Sequence, residues 1–315
     1  VFDFPRDIQP ILDRNCVACH DYDAEAESDG PRAGGVILSG DRGPMYSHSY
    51  YALTLRKQFV DGRNDAKSNL PPRSIGSAAS PIMAKLVGGH HNVKASAREV
   101  DLVRYWIESG AVYPGTYGAL GGGSIGGYYA NGLVETDFEW PETKAAAEVV
   151  DRRCASCHEG GSVLPRALSD ERDVSFWRPD WNDPRMRMAR HSVFNLSRPK
   201  KSLMLLAPLA PEAGGYGICR DDAGMPVFES ADDTDYHAIL AMCVAGSRRL
   251  GEIRRFDMAD FRPPEPYLRE MTRYGILPDV PGPGKVVDPY ELDQAYWRMM
   301  WWRPDVVARG GGVGH

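Results

Sequence analysis

Two short cysteine motifs contain the residues of this chain that are best suited to chemistry. The first consists of Cys16, Cys19 and His20, and the second of Cys154, Cys157 and His158. The pattern CxxCH is the attachment motif of c-type haem. Its two thiols form thioether bonds with the two vinyl groups on one porphyrin edge, and the adjacent histidine binds the iron as the proximal axial ligand. The sequence therefore predicts two covalently bound haem c groups.

Other uses of paired cysteines fit these motifs less well. Zinc ribbons place their two CxxC pairs about 15–20 residues apart, whereas Cys19 and Cys154 are separated by roughly the length of a small domain. A thioredoxin-type dithiol needs a surrounding βαβ pattern, and the sequence gives no sign of one. Covalent haem is thus the favoured interpretation of both motifs.

The residues that precede the two motifs repeat as well. Residues 11–16 align with residues 149–154, because each stretch has two apolar residues, an Asp-Arg pair, one polar residue and the first cysteine. An aromatic-proline pair lies upstream of each stretch, at 4–5 and at 140–141. The repeat predicts two domains that open alike, each with a short amphipathic helix that leads into the haem-attachment turn.

Length, composition and charge limit the class of protein. A chain of 315 residues corresponds to about two domains, and 43% hydrophobic with 25% charged residues is typical of a folded soluble protein. The formal net charge of −6 leaves no basic surplus for nucleic-acid phosphates. No apolar run approaches the roughly 20 residues that a transmembrane helix needs, so we expect no transmembrane segment.

The predicted haem attachment also indicates where the protein works. Thioether-linked haem is a feature of compartments outside the reducing cytosol, where disulfides also persist. We therefore expect an exported protein, in the periplasm or another extracytoplasmic compartment. Its expected partners are other redox proteins or subunits of a larger complex, and not nucleic acid.

These features predict a mainly α fold with two tandem cytochrome c-like haem domains, long loops and a C-terminal helical extension. The first haem domain covers 1–113, and the second covers 134–280. A linker rich in Gly and Tyr joins them at 114–133, and an aromatic-rich extension follows at 281–315. We expect the aromatic side chains of this extension to pack against the domain or against a partner chain.

Helix signals place the elements that position the motifs. Ser96 and Glu99 have the spacing of a capping box, and apolar residues at helical spacing continue from there to a stop at Gly110. This segment is the predicted closing helix of the first domain, packed against the N-terminal helix. Further helices are expected around 50–59, 202–206 and 234–245, and from Asp288 onward.

The residue on the second axial side of each iron decides whether that centre transfers electrons or binds a substrate. For the first haem, the candidates are His90 and His91, in the loop just before the closing helix, and the sequence leaves open which of them binds. His48 is the reserve candidate. For the second haem, we expect His191 first, His237 second and Met225 third.

Two cysteines remain outside the haem motifs. An oxidising compartment would permit a disulfide between Cys219 and Cys243. Two free buried thiols are an equally acceptable interpretation, because the sequence does not reveal the geometry that a disulfide requires.

Four further stretches support a resemblance to a known family. They are GHHNVK at 89–94, NLSRP at 195–199, APLA at 207–210 and GGYG at 214–217. Together with the haem motifs they resemble the dihaem C-terminal region of proteins related to the hydrazine synthase alpha subunit. The resemblance covers most of the chain and is most distinctive over 134–277.

The resemblance implies one catalytic haem and one relay haem with two histidine ligands. In hydrazine synthase a tyrosine shortly after one CxxCH motif binds the catalytic iron, and the histidine of that motif serves a zinc site. Here the fourth residue after His20 is Ala24, and Tyr22 is the only tyrosine nearby. This departure favours ordinary ligation by His20, so the resemblance does not supply an activity.

Three functions follow from these observations. The leading hypothesis is an electron-transfer protein with two six-coordinate haems. The second is a haem enzyme that acts on a small nitrogen compound or a peroxide at one open iron. The third is an electron-entry or docking module of a larger redox assembly.

Overall fold

The computed structural model describes residues 2–23, 33–60, 62, 69–120, 137–170, 180 and 182–301. Helices make up 50% of the structure and no strand occurs in the described ranges, which confirms a mainly α fold. The α-helices are α1 (Gln9–Asn15), α2 (His48–Leu55), α3 (Pro81–Ala84), α4 (Ala97–Glu108), α5 (Pro141–Val149), α6 (Pro184–Arg187), α7 (Arg190–Val193), α8 (Leu203–Leu206), α9 (Thr234–Ile253), α10 (Glu265–Arg273) and α11 (Pro289–Met300).

Shorter helical turns lie between these helices. The π-helical turns are Phe4–Ile8, Lys85–Gly89 and Val150–Cys154, and the 3₁₀ turns are Ala33–Gly35, Ser77–Ala79, Tyr117–Leu120, Asp137–Glu139, Gly160–Ser162, Pro199–Lys201 and Pro211–Ala213. Among the described helices, none combines the length and the apolar character that crossing a bilayer requires.

Both halves of the chain open with the helix that the repeat predicts. The turn Phe4–Ile8 continues into α1, which ends immediately before Cys16. In the same way α5 continues into the turn Val150–Cys154, which ends at the first cysteine of the second motif. A proline stands within the first two positions of each helical stretch, where its missing amide hydrogen leaves no hydrogen bond unmade.

Helix α4 closes the first half in the predicted way. The Ser96 hydroxyl accepts the amide of Glu99, and the Glu99 carboxylate accepts the amide of Ser96, which completes the capping box. Trp106 of α4 is fully buried, and its ring centroid lies 5.4 Å from that of Phe4. The closing helix therefore packs against the N-terminal helical segment.

Helix α9 is the main packing partner of α5 in the second half. It continues to Ile253, well beyond the predicted 234–245. Gly246 lies near its middle, where a Cβ atom would be 2.5 Å from Leu168 Cδ1 and 3.0 Å from Leu196 Cδ2. This glycine therefore allows close packing and does not end the helix.

The buried apolar side chains form two main clusters. The first comes almost entirely from residues 4–119, and the second from residues 146–250. Met186 and Phe256 are exceptions, because they follow the second haem motif in sequence and yet are buried in the first cluster. The two halves of the chain thus share part of one core.

A buried ion pair joins the two halves. Arg255, which has 0% of its surface exposed, makes two hydrogen bonds to the Asp257 carboxylate, of 2.9 and 2.7 Å. The same guanidinium donates to the carbonyls of Gly43 and Pro44, both at 3.0 Å. Tyr113 from the first half donates to Asp257 at 2.7 Å. The buried guanidinium and carboxylate therefore both have protein partners from the first half of the chain.

The stretch at 195–199 forms a second polar connection. Arg198 Nη2 donates to Asp21 Oδ1 at 2.6 Å, and Arg198 Nε donates to Asp41 Oδ2 at 2.7 Å. The Asn195 side chain donates to Asp41 at 2.6 Å and accepts the amides of Ser197 and Arg198. Asp21 directly follows His20, so this stretch ties the first haem motif to the second half of the chain.

The C-terminal extension packs against the domains through polar aromatic contacts. Tyr267 of α10 donates to Asp293 of α11 at 2.6 Å. Tyr290 of α11 donates to Asp3, near the N-terminus, also at 2.6 Å. The sequence predicts α11 with Asp288 as its N-cap, which the structure confirms, whereas α10 was not predicted.

Other aromatic residues of the extension remain partly exposed. Trp297 is 40% exposed and Trp301 is 69% exposed, so packing against the domain accounts for only part of this aromatic surface. Residues 302–315, which include Trp302 and His315, lie outside the described residues. Residues 121–133 of the predicted linker also lie outside them.

Candidate functional site

The two CxxCH motifs adopt the same turn. In the first, the amides of Cys19 and His20 donate to the Cys16 carbonyl at 3.1 and 3.0 Å. In the second, the amides of Cys157 and His158 donate to the Cys154 carbonyl at 3.2 and 3.0 Å. Each turn directly follows a helix, so it presents both thiols and the imidazole from a rigid base.

Burial sets the protonation of the leading thiol in each motif. It raises the pKa of Cys16 to about 11, and the neighbouring Cys19 and Asp13 act in the same direction. Burial also raises the pKa of Cys154 to about 11, with a further contribution from Cys219. Both sulfurs are therefore neutral thiols near pH 7, and a neutral thiol carries the hydrogen that a vinyl group gains when a thioether forms.

His20 and His90 face each other at the first centre. Their ring centroids are 6.0 Å apart and their planes differ by only 12°. Two imidazoles that bind one metal ion from opposite sides, each through a bond of about 2 Å, have ring centres about 6 Å apart. The centroid separation of the pair therefore matches that expected of two axial ligands of one iron.

The structure distinguishes between His90 and His91, which the sequence leaves open. His91 has a left-handed backbone with φ of 37° and is exposed, and its ring stands at 85° to that of His90. His90 alone lies parallel to His20. We therefore assign His90, and not His91, as the residue opposite His20.

His48, the reserve candidate, is engaged elsewhere. Its Nδ1 lies 3.3 Å from the Tyr22 hydroxyl, and its Nε2 lies 3.1 Å from the Phe194 carbonyl. Burial lowers the pKa of His48 to about 4, so the ring is neutral near pH 7. Both nitrogens have partners, so His48 connects the two halves and has no nitrogen free to bind a metal.

The second motif lines a large cavity between the two halves. Its volume is about 790 Å³, within the range of cofactor sites. One part of its wall carries Cys154, Cys157 and His158, and another part comes from α2 and residues 35–37. His158 Nδ1 lies 3.1 Å from the Ser162 carbonyl, and a hydrogen bond there leaves Nε2 free to bind a metal.

The three predicted ligands for the second haem do not line this cavity. His191 is buried between the rings of Tyr46 and Tyr51, at 5.4 and 5.1 Å, and burial lowers its pKa well below the usual range. His237 is exposed on the surface of α9, and Met225 is 49% exposed in a turn. His191 therefore lies inside a core, whereas His237 and Met225 lie at the surface.

Two other methionines contribute to the cavity wall. Met188 follows α6, and Met204 lies on α8 and is 5% exposed. Sequence reasoning missed both, because Met204 belongs to an apolar run that reads as ordinary core and Met188 lies in a stretch without a periodic pattern. A thioether is a known haem ligand, and the cavity wall offers these two thioethers, whereas Met225 is not part of it.

Cys219 and Cys243 are both free thiols, so the proposed disulfide between them is not formed. Cys243 is fully buried in α9, and the Ser202 hydroxyl donates to its sulfur at 3.4 Å. Burial raises the pKa of Cys243 to about 12. Cys219 lines the large cavity instead, on the side of the second motif. The two side chains thus have separate surroundings.

Within the described part of the chain, no three His, Cys, Asp or Glu side chains converge on a point that could hold a bare metal ion. Comparisons with protein-family models, with curated proteins and with solved structures found no match to this chain. The resemblance to relatives of the hydrazine synthase alpha subunit therefore stays a prediction from the sequence.

Proposed function

We propose that this protein is an exported dihaem c-type cytochrome that transfers single electrons to or from a partner redox protein or subunit. When bound, each haem supplies an iron couple that gains or loses one electron. The chain fits two such groups. It provides two thiols and an imidazole at each centre, a facing imidazole at the first, and a cavity of about 790 Å³ at the second.

The main support for the proposal is one segment, residues 33–38, which contacts the first motif and lines the second cavity. Amides at the two ends of residues 33–38 donate to the carbonyls of Cys19 and His20, at 3.1 and 2.7 Å. The middle of the same segment, residues 35–37, forms part of the wall of the second cavity. Groups held at both places are therefore separated by a short run of packed chain, as electron exchange between them requires.

The protein groups at the first centre favour transfer over catalysis. With haem bound, His20 and His90 would hold the iron from both sides and so exclude an outside ligand. The motif turn positions His20, and His90 lies at the end of the turn Lys85–Gly89, where its carbonyl accepts the Val93 amide at 2.9 Å. A site whose ligands stay in place keeps its reorganisation small when an electron arrives.

The second centre favours a second candidate function, catalysis at an open iron on a small nitrogen compound or a peroxide. The observation that favours it is that none of the three predicted ligands of the second haem lines the cavity: His191, His237 and Met225 are all outside its wall. His48 does line the cavity, but both its nitrogens have partners. Met188 or Met204 would close the sixth position, and without either it is open to a ligand from outside.

Two measurements test the proposal in order. Mass spectrometry of the denatured protein should show the added mass of two haems, located on the peptides that contain Cys16 and Cys154; no added mass would refute the proposal. Carbon monoxide is then added to the reduced protein. No spectral change supports a carrier with two closed irons, whereas prompt binding of one equivalent per chain supports catalysis at the second centre.

A further inference from the structure

A small cationic pocket adjoins the second cavity. Its volume is about 240 Å³, and it is lined by Leu55, Arg56, Lys57, Asn182 and Arg187. Leu55, Arg56 and Arg187 also line the large cavity, so the two spaces meet at these side chains. The small pocket includes none of the residues of the second CxxCH motif.

The cations of this pocket have no acidic partner among the described residues. No carboxylate there lies within ion-pair distance of Arg56, Lys57 or Arg187. Arg152 and Arg153, beside the second motif, differ in this respect, because both form ion pairs with Asp235 at 2.6 and 3.0 Å. The positive charge at the small pocket is therefore available to an anion.

The backbone holds these cations in place. Arg56 Nη2 donates to the Gly35 carbonyl at 3.0 Å, which fixes its guanidinium against the cavity wall. Lys57 adopts a left-handed backbone with φ of 50°, directly after α2 ends. Many helices end in this conformation, and here it places Lys57 in the pocket lining.

Haem c has its anionic groups on the edge opposite its thioether links. The vinyl groups that react with Cys154 and Cys157 occupy one edge of the porphyrin, and the two propionate carboxylates extend from the other. Attachment at the motif wall therefore directs the propionates toward the part of the cavity farthest from these cysteines. The small pocket contains no motif residue and meets the cavity at Arg56 and Arg187, so it provides cations on a part of the wall separate from the attachment cysteines.

We propose that Arg56, Lys57 and Arg187 bind the propionate carboxylates of the second haem. The inference rests on the proposed function, because it requires haem at the second motif. Guanidinium groups match carboxylates through paired hydrogen bonds, and an ammonium adds a point charge. The cations also act on the iron: positive charge near a haem stabilises the reduced form, so the pocket raises the reduction potential of the second haem.

The test compares three charge-removing variants of the full-length holoprotein. Arg187→Gln and Lys57→Gln each remove one cation from the pocket, and Arg269→Gln removes one from the exposed surface of α10 as a matched control. Arg56 is left intact because it also supports the cavity wall. Mass spectrometry first establishes that each variant carries two haems. A missing second haem in the wild type would refute the proposed function itself.

Potentiometric titration then gives the potential of each haem. We expect Arg187→Gln and Lys57→Gln to lower the potential of the second haem and to leave the first unchanged, while Arg269→Gln changes neither. Equal potentials in wild type and both pocket variants would overturn the inference. Inorganic phosphate is also titrated into the wild-type holoprotein and into Arg187→Gln. A saturable shift in the potential of the second haem that occurs in the wild type and not in Arg187→Gln would show that the pocket binds a free oxyanion. That result would also overturn the inference.

Discussion

At each haem motif, a single imidazole nitrogen determines what the centre can bind. His158 has its Nδ1 next to a backbone carbonyl, which leaves its Nε2 free to bind a metal. His20 lies parallel to His90 at 6.0 Å. In the proposed function two imidazoles would close the first centre, whereas the second would have one imidazole and two methionine thioethers in the cavity wall.

The exchange of one histidine should open the first centre. His90→Ala removes the imidazole opposite His20, so we expect the ferric iron of the first haem to change from low spin to high spin and the reduced form to gain carbon monoxide binding. Electron paramagnetic resonance and optical spectra measure both effects.

The neighbouring histidine provides the control for that experiment. His91→Ala changes an exposed ring that is not parallel to His20, so the spectra should match those of the wild type. High-spin iron in His91→Ala, or its absence in His90→Ala, would contradict the assignment of His90.

The sequence predicts the covalent attachment residues because their chemistry depends on local spacing alone. The choice between His90 and His91 depends on a backbone dihedral angle at one position, which spacing does not encode. At His191 the surroundings come from residues that are distant in sequence. Its position before a distinctive stretch suggested a ligand, but Tyr46 and Tyr51 enclose it in a core assembled from both halves.

At the scale of elements, helix ends were more predictable than helix lengths. The capping box at Ser96 and the acidic cap at Asp288 are local patterns, and both helices begin where these patterns place them. Helix α9 runs past its predicted end because Gly246 contacts Leu168 and Leu196 and does not break the helix. Close contact with residues distant in sequence cannot be read from the helix itself.

The two glycines of α9 should respond oppositely to alanine. In Gly246→Ala the new methyl group would lie 2.5 Å from Leu168 Cδ1, so we expect overpacking to cost about 1–3 kcal/mol. Gly251→Ala places its methyl group in open space and should stabilise the helix by up to about 1 kcal/mol. Urea unfolding measures the change in the free energy of unfolding for both variants. Stabilisation by Gly246→Ala would show that the contact with Leu168 does not cause overpacking.

At the scale of the whole molecule, buried charge joins the two halves. Burial alone would raise the pKa of Asp257, but Arg255, Arg42 and the Tyr113 hydroxyl outweigh it and hold that pKa below the usual value. A carboxyl group whose pKa is lower in the folded state stabilises the fold above its ordinary pKa of about 4 and loses this effect as the pH falls further.

Asp257→Asn should therefore destabilise the protein in a pH-dependent way. It leaves the buried Arg255 without its charged partner, and removal of one partner of a buried pair costs about 3–5 kcal/mol. We expect the difference in the free energy of unfolding between this variant and the wild type to be largest near pH 7 and to shrink below about pH 4. Asp101→Asn, which breaks an exposed pair with Arg104, should cost less than about 1 kcal/mol. A pH-independent cost for Asp257→Asn would contradict the charge argument.

If the protein carries two haems as proposed, the arrangement of the two halves also decides how electrons pass between them, and no local pattern predicts that arrangement. The long region between the first motif and α2 looks like simple loop in sequence, yet residues 33–38 touch the first motif and line the second cavity. Gly35, within this segment, has φ of 70°, and a Cβ atom there would lie 3.3 Å from Arg56 Nη2. A side chain at this position would therefore strain the backbone and disturb the shared wall.

Electron exchange between the haems should be intramolecular and sensitive to this segment. After a laser pulse delivers less than one electron per chain, we expect redistribution between the haems at a rate that does not change with protein concentration. Gly35→Ala should slow it. Gly275→Ala introduces the same left-handed strain, with φ of 71°, where a Cβ atom meets nothing within 4 Å, and should leave the rate unchanged. A rate proportional to protein concentration would mean that electrons pass between molecules, and that residues 33–38 do not connect the two centres.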